Sequence, residues 1–264
     1  MSSHKPIDRR SVVESNYFSN WGDLWYPRIA NSILRPASAI RWLTPNQVTL
    51  TSFVLYALAA ALLMVGKSWA LAIVLLLPVS YILDCLDGQL ARYTGRTSPI
   101  GDYLDKTLDV LKIGLINVAM GVAAYRLTGK DYYLILGFIS CFGFLFRYYI
   151  KLETMFGAIN RDKDYLRASR ARRHELYATF DAAKRAPMTI RQRMNWLYVR
   201  HHAVLALDEA EHVTFGALAA LFWRPDLWCW AFAVGQLSLA LFRLVERGGQ
   251  LLRDPESLTY PLRK

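Results

Sequence analysis

Apolar runs separated by short polar connections organise the chain. Six predominantly apolar stretches stand out: 48–65, 69–83, 103–125, 132–150, 207–223 and 227–245. Crossing the hydrocarbon layer of a bilayer takes ~20 helical residues, and several of these stretches are shorter than that. The second becomes long enough if its helix continues through the polar residues to Arg92, with a kink at Pro78. Asp102 is a good N-cap residue type, so the third helix is expected to begin near it. The pattern predicts an all-α fold, a polytopic membrane protein with six transmembrane helices. A soluble helical domain with a large core is the competing reading, and the run lengths disfavour it.

Two stretches outside the spans have their own character. Residues 13–43 set Tyr17, Phe18, Trp21, Leu24, Trp25, Tyr26, Ile29, Ile33 and Leu34 between basic residues. Trp and Tyr favour the membrane–water boundary, so this stretch reads as an N-terminal interfacial amphipathic helix, with an ordinary packed helix as the alternative. Residues 151–202 form a basic helical insert between spans 4 and 5, and its Arg167, Arg170, Arg172 and Arg173 would suit anionic lipid headgroups. A solvated helical face is the simpler account of that run. The expected organisation is an N-terminal segment, 1–47, followed by a six-helix membrane domain, 48–264, that includes the insert. In the fifth span, Asp208, Glu209, Glu211 and His212 are expected to be hydrated at the interface, the alternative being that they face a cleft and touch substrate.

Charge orients this arrangement. The net charge is +11, which suits anionic headgroups or phosphate-bearing substrates. Nucleic acid is not an expected partner, because no zinc-finger spacing or RNA-binding aromatic motif accompanies the basic residues. Lys and Arg number 6 in 1–47, 3 in 84–109, 12 in 151–202 and 5 from Arg243 onward, whereas the alternate connections hold only Lys67, Arg126, Lys130 and Arg224. For an even number of spans, this bias places both termini and residues 84–109 on the cytoplasmic side. Cys85, Cys141 and Cys229 are too scattered for a disulfide framework or a zinc site. The polar stretch Met1–Arg10 has no apolar run close behind its charges, so no cleaved signal peptide is expected.

Candidate chemistry concentrates in one segment. Asp84, Asp87, Gly88, Ala91, Arg92, Gly101, Asp105 and Asp109 lie between apolar runs, where charge is costly and therefore points to function. On helices, 84, 87, 88 and 91 share one face and 101, 105 and 109 share another, so two helices joined by a short turn would aim four carboxylates into one cleft. Arg92 and Lys106 cannot balance four such charges, but divalent Mg²⁺ or Mn²⁺ can, and these ions take carboxylate oxygens and substrate phosphates. Two such ions ~3.5–4 Å apart would clamp a displacement at phosphorus. Gly88 and Ala91 leave room for a phosphate or nucleotide against the backbone, and Arg92 offers a fork for phosphate oxygens. A cation-coupled transporter using the same carboxylates and a non-catalytic scaffold are the readings from other classes.

The spacing Asp84-x2-Asp87-Gly88-x2-Ala91-Arg92-x8-Gly101-x3-Asp105-x3-Asp109 resembles, at all eight positions, the signature of the CDP-alcohol phosphatidyltransferase (CDP-alcohol phosphotransferase) family. Thr44-Pro45-Asn46-Gln47-Val48-Thr49 before the first span is also similar to that family. The resemblance implies a homodimeric membrane enzyme of phospholipid biosynthesis, with a cytoplasmic active site. It would move a substituted phosphate from a CDP-alcohol to an acceptor alcohol, one of them lipidic, and release CMP. It implies Asp84, Asp87, Asp105 and Asp109 as ligands of two divalent ions and Asp109 as general base. Asp87, Gly88, Ala91, Arg92 and Gly101 would bind CDP. Val110 follows the fourth Asp where several lipid-making branches carry Lys or Arg, and Lys112 comes two residues later. The turn Thr97-Ser98-Pro99-Ile100-Gly101 is similar to the choline/ethanolamine branch, whereas the chain length is nearer the bacterial phosphatidyltransferases.

Overall fold

The computed structural model describes residues 25–167, 189–192 and 207–253, and the regular structure among them is helical. Helix α1 (Tyr26–Ala39) is followed by α2 (Pro45–Val65), a 3-10 turn at Lys67–Trp69, α3 (Ala70–Thr94), α4 (Pro99–Thr128), α5 (Tyr132–Arg161), α6 (Glu209–Leu221) and α7 (Pro225–Arg253). Of the predicted 13–43 interfacial helix, residues 13–24 lie outside the described residues. So do most of the basic insert and its Arg170, Arg172 and Arg173.

Local sequence sets the helix boundaries. Thr44 caps α2 in a reciprocal box: its hydroxyl accepts from the Gln47 N–H, and the Gln47 amide oxygen accepts from the Thr44 N–H at 2.8 Å. Pro45 occupies the first turn, where its missing N–H leaves nothing unpaired. Gly95 ends α3 and Gly129 ends α4 in left-handed conformations, with φ of 69° and 72°. The start of α4 differs from expectation. Ser98, not Asp102, is its cap, accepting from the Gly101 N–H at 3.1 Å, with Pro99 in the first turn. Asp102 sits one turn inside, where its carboxylate favours the positive end of the helix dipole.

Among the described residues, five helices are long and apolar enough to cross a membrane: Pro45–Val65, Lys67–Thr94, Pro99–Thr128, Tyr132–Asn160 and Pro225–Arg253. These mark a multi-pass membrane protein. Helix α3 runs through the acidic segment as expected, and Pro78 lies within it. The stretch read as the fifth span is only 13 residues of helix, about 20 Å at the usual rise, and does not reach bilayer length by itself.

Helix α6 is lodged among α3, α4 and α7, while α5 packs on α4 and α7, and α2 on α3 and α4. Tyr56, Leu63, Ile73, Leu77, Ile116, Met120 and Phe232 form the buried centre. Two glycines set how closely the helices approach. A Cβ on Gly137 would come within 2.7 Å of the Asn117 carbonyl, and one on Gly143 within 2.9 Å of the Gln236 backbone. Leu71, Leu75 and Phe138 point outward, as residues on lipid-facing helices do.

Helix α1 packs on α3, the alternative reading made for it. Ala30 and Leu34 are buried with Leu86 and Leu90 of α3, and the Gln89 amide donates to the Pro27 carbonyl at 2.8 Å. Trp25, Ile29 and Ile33 remain exposed on the other side.

Candidate metal and phosphate cleft

Helices α3 and α4 are joined by the short connection 95–98, so the last turns of one lie beside the first turns of the other. Asp84 is 10 residues before the end of α3 and Asp109 is 10 residues after the start of α4, so each is ~15 Å inside its helix. Carboxylate oxygens of Asp84, Asp105 and Asp109 all come within 4.8 Å of one another. The expectation that the helix faces converge is met for these three, at a level well inside the helix ends. Ser52 of α2 supports the group: its hydroxyl donates to the Ser80 carbonyl at 2.9 Å and lies 3.4 Å from Asp84 Oδ1.

Asp87 lies outside that trio. It is buried one turn along α3, and its Oδ2 has no hydrogen-bond partner. Arg92 is half-buried, with Nε and Nη2 also unpartnered. An anion-accepting fork and an unpaired carboxylate oxygen left open beside three clustered carboxylates are a donor set suited to a phosphate bridged to hard cations. The all-oxygen set of Asp84, Asp105, Asp109 and neighbouring Asp87 fits Mg²⁺ or Mn²⁺ better than zinc.

The small residues fit this picture in different ways. A Cβ at Gly88 would meet only the flexible end of Arg92, at 3.2 Å. At Gly101 it would press on Asn46 Oδ1 at 3.0 Å and Ser98 Oγ at 3.1 Å, so this glycine lets α4 begin against the start of α2. Ala91 is half-buried on the turn between Asp87 and Arg92.

Two charged residues that the sequence reading did not place in the cleft are central to it. Lys106 pairs with Asp102 at the surface. The balancing cation is Lys112, whose buried Nζ donates to Asp84, to Asp109 Oδ1 at 3.1 Å and to Glu209 Oε1 at 3.3 Å. The expected hydration is corrected for Glu209, Glu211 and His212, whereas the Asp208 side chain stays 42% exposed. Glu209 reaches into the cleft, Glu211 and His212 are fully buried, and Asp208 pairs with Arg147 at 2.6 Å. The helix folds this way because its capping box turns the first carboxylates inward: Glu211 Oε2 accepts from the Asp208 N–H at 3.0 Å. The amphipathic period of α6 could have suggested this, since 209, 212, 213 and 216 share one face.

Residues 42–172 match the family model described as CDP-alcohol phosphatidyltransferase, a stretch that holds the whole acidic segment and α2 to α5. An archaetidylinositol phosphate synthase from Aeropyrum pernix is 42% identical over 83 residues, covering 30% of this chain and 40% of that protein. Its counterpart from Pyrococcus horikoshii is 38% identical over 81 residues, covering 30% of this chain and 42% of that protein. Cholinephosphotransferase 1 from Xenopus laevis is 29% identical over 117 residues, covering 41% of this chain and 28% of that protein. The chain thus spans about two fifths of the length of the two archaeal relatives it matches.

Proposed function

Because this chain belongs, over residues 42–172, to the CDP-alcohol phosphatidyltransferase family, we propose that its acidic cleft moves a substituted phosphate from a CDP-alcohol to an acceptor alcohol and releases CMP. One donor or acceptor is lipidic, and the product is a phospholipid or its precursor. The observation that carries this reading is the convergence of Asp84, Asp105 and Asp109 within 4.8 Å, inside the matched stretch.

In this reading Asp84, Asp87, Asp105 and Asp109 hold two divalent cations, Mg²⁺ or Mn²⁺. Bound there, the cations would neutralise charge on the pyrophosphate and on the departing phosphate. The chain's own residues do the rest. Arg92 takes phosphate oxygens with its unpartnered N–H groups, while Gly88, Ala91, Gly101 and Asp87 border the CDP pocket. Asp109 accepts the proton of the acceptor hydroxyl as its oxygen attacks phosphorus. The bond to the CMP oxygen breaks, and CMP leaves with that electron pair. Positioning and electrostatics dominate such transfers.

The Lys and Arg bias supports a cytoplasmic cleft and cytoplasmic termini, which an even number of crossings requires. A membrane domain over 48–264 preceded by an interfacial segment, a basic insert that touches anionic lipids, and a homodimer belong to the same proposal. The likeness to cholinephosphotransferase 1 favours a second reading of the substrates, with a small amino alcohol carried on CDP and a lipid as acceptor. The alternative places the lipid on CDP.

The test is CMP release by the full chain in detergent or liposomes, with CDP-diacylglycerol or CDP-choline as donor and a panel of polar and lipid alcohols as acceptors. Mass spectrometry of the lipid product identifies the pair. Turnover of at least one donor supports the enzyme. No nucleotide turnover, with tracer uptake into proteoliposomes that depends on Asp84 and Asp105, would select a transporter instead.

A further inference from the structure

Lys112 occupies the position from which a cation would be expected to bridge the acidic cluster. Its side chain is 1% exposed. An ammonium has three N–H groups, and here they face three carboxylates: Asp84, Asp109 at 3.1 Å and Glu209 at 3.3 Å. Two of these partners belong to the proposed metal set. The third comes from α6, 97 residues away and outside the family-matched stretch.

The approach of Glu209 is fixed by contacts from two other helices. Leu207 has φ of 47°, a left-handed conformation unfavourable for a leucine. Its carbonyl accepts from the buried Gln236 amide of α7 and from Arg147 Nη2 of α5 at 3.4 Å. Asp208 takes a second Arg147 contact at 2.6 Å, and its own carbonyl lies 2.8 Å from His212 Nδ1. An uncommon backbone held from several sides immediately before one carboxylate indicates that the carboxylate's position matters.

We propose that Glu209 is a positioning residue that draws the Lys112 ammonium to the α6 side of the cleft, freeing Asp84 and Asp109 for divalent cations. Lys112 is then the built-in counter-ion of the cluster, exchanged for metal as the site loads. A divalent cation on Asp84 and Asp109 repels an ammonium that shares their oxygens. Lys112 must release those two contacts, and Glu209 is the remaining carboxylate among its three partners. The inference rests on the metal-site reading given above, and it assigns to α6 a control over metal affinity that the eight-position signature does not contain.

The measurement is Mn²⁺ binding to the detergent-solubilised full chain without nucleotide, read from the EPR signal of free Mn²⁺. Glu209→Gln should weaken Mn²⁺ about tenfold or more, since the whole ammonium charge then stays on the Asp pair, and Lys112→Met should tighten it by a similar factor. Placed on the Lys112→Met background, Glu209→Gln should change affinity less than about threefold, because the residue through which it acts is gone. Gln236→Leu, which loosens Leu207 without altering any charge in the cleft, should weaken binding in the same direction as Glu209→Gln. That variant and Glu209→Gln together decide the matter if Lys112→Met does not fold. Equal effects of Glu209→Gln with and without Lys112, or none in a wild-type chain that binds Mn²⁺, overturn the inference alone. A wild-type chain that binds no Mn²⁺ overturns the metal-site reading and this inference together.

Discussion

Asp109 and Asp105 share the proposed metal site, and Asp109 is also the proposed base. Asp109→Ala removes the proposed base and is expected to lower kcat about 10²–10⁴-fold. Asp105→Asn keeps the shape but loses the charge, so Mn²⁺ affinity should fall about tenfold or more, as titration of the purified variant would show. Gly101→Leu should disturb the start of α4 against Asn46 and Ser98 and weaken CDP binding, whereas Gly88→Ala meets only movable Arg92 and should fold normally. Unchanged CDP affinity in Gly101→Leu would contradict its place beside the pocket. The aspartates were legible in the sequence because charge amid apolar runs is conspicuous and their 3- and 4-residue spacing implies a shared face. Lys112 was not, and Glu209 only as the less favoured of two readings. Their pairing is a contact across 97 residues, and periodicity, which shows the inward face of α6, cannot name the partner opposite it.

Helix boundaries followed local chemistry where that chemistry was strong. Thr44-Pro45-x-Gln47 reads as a capping box with proline in the first turn, and so it folds. Thr44→Ala should therefore cost ~1 kcal/mol of stability, seen as a lower thermal midpoint in detergent. Ser98-Pro99 is the same kind of signal, and it outcompetes Asp102 because proline at the first helical position has no N–H to leave unpaired. Gly137→Ala should destabilise by ~1–3 kcal/mol, because the α4–α5 contact has no space for a methyl group at 2.7 Å from a backbone carbonyl. Helix α6 illustrates the limit of run-length reasoning. Its apolar stretch resembles a span, yet its first turn faces the cleft and its helix covers 13 of the described residues.

At the scale of the molecule, the helical class and the membrane setting were both legible, because the α2, α3, α4, α5 and α7 runs are long and apolar. Their packing was not, since small residues such as Gly137 and Gly143 acquire meaning only from the helix opposite. The proposed cytoplasmic placement of the cleft predicts that Thr97→Cys, in a background lacking Cys85, Cys141 and Cys229, reacts with an impermeant maleimide in inside-out vesicles and not in right-side-out ones. Lys130→Cys should show the reverse. The most direct measurement for the whole account is CMP release from a CDP-alcohol by metal-stripped wild-type chain, before and after Mg²⁺ or Mn²⁺ is restored, with Asp109→Ala alongside. The account predicts turnover only in the wild type and only with the cation present. Undiminished turnover without divalent metal, or in Asp109→Ala, would contradict it.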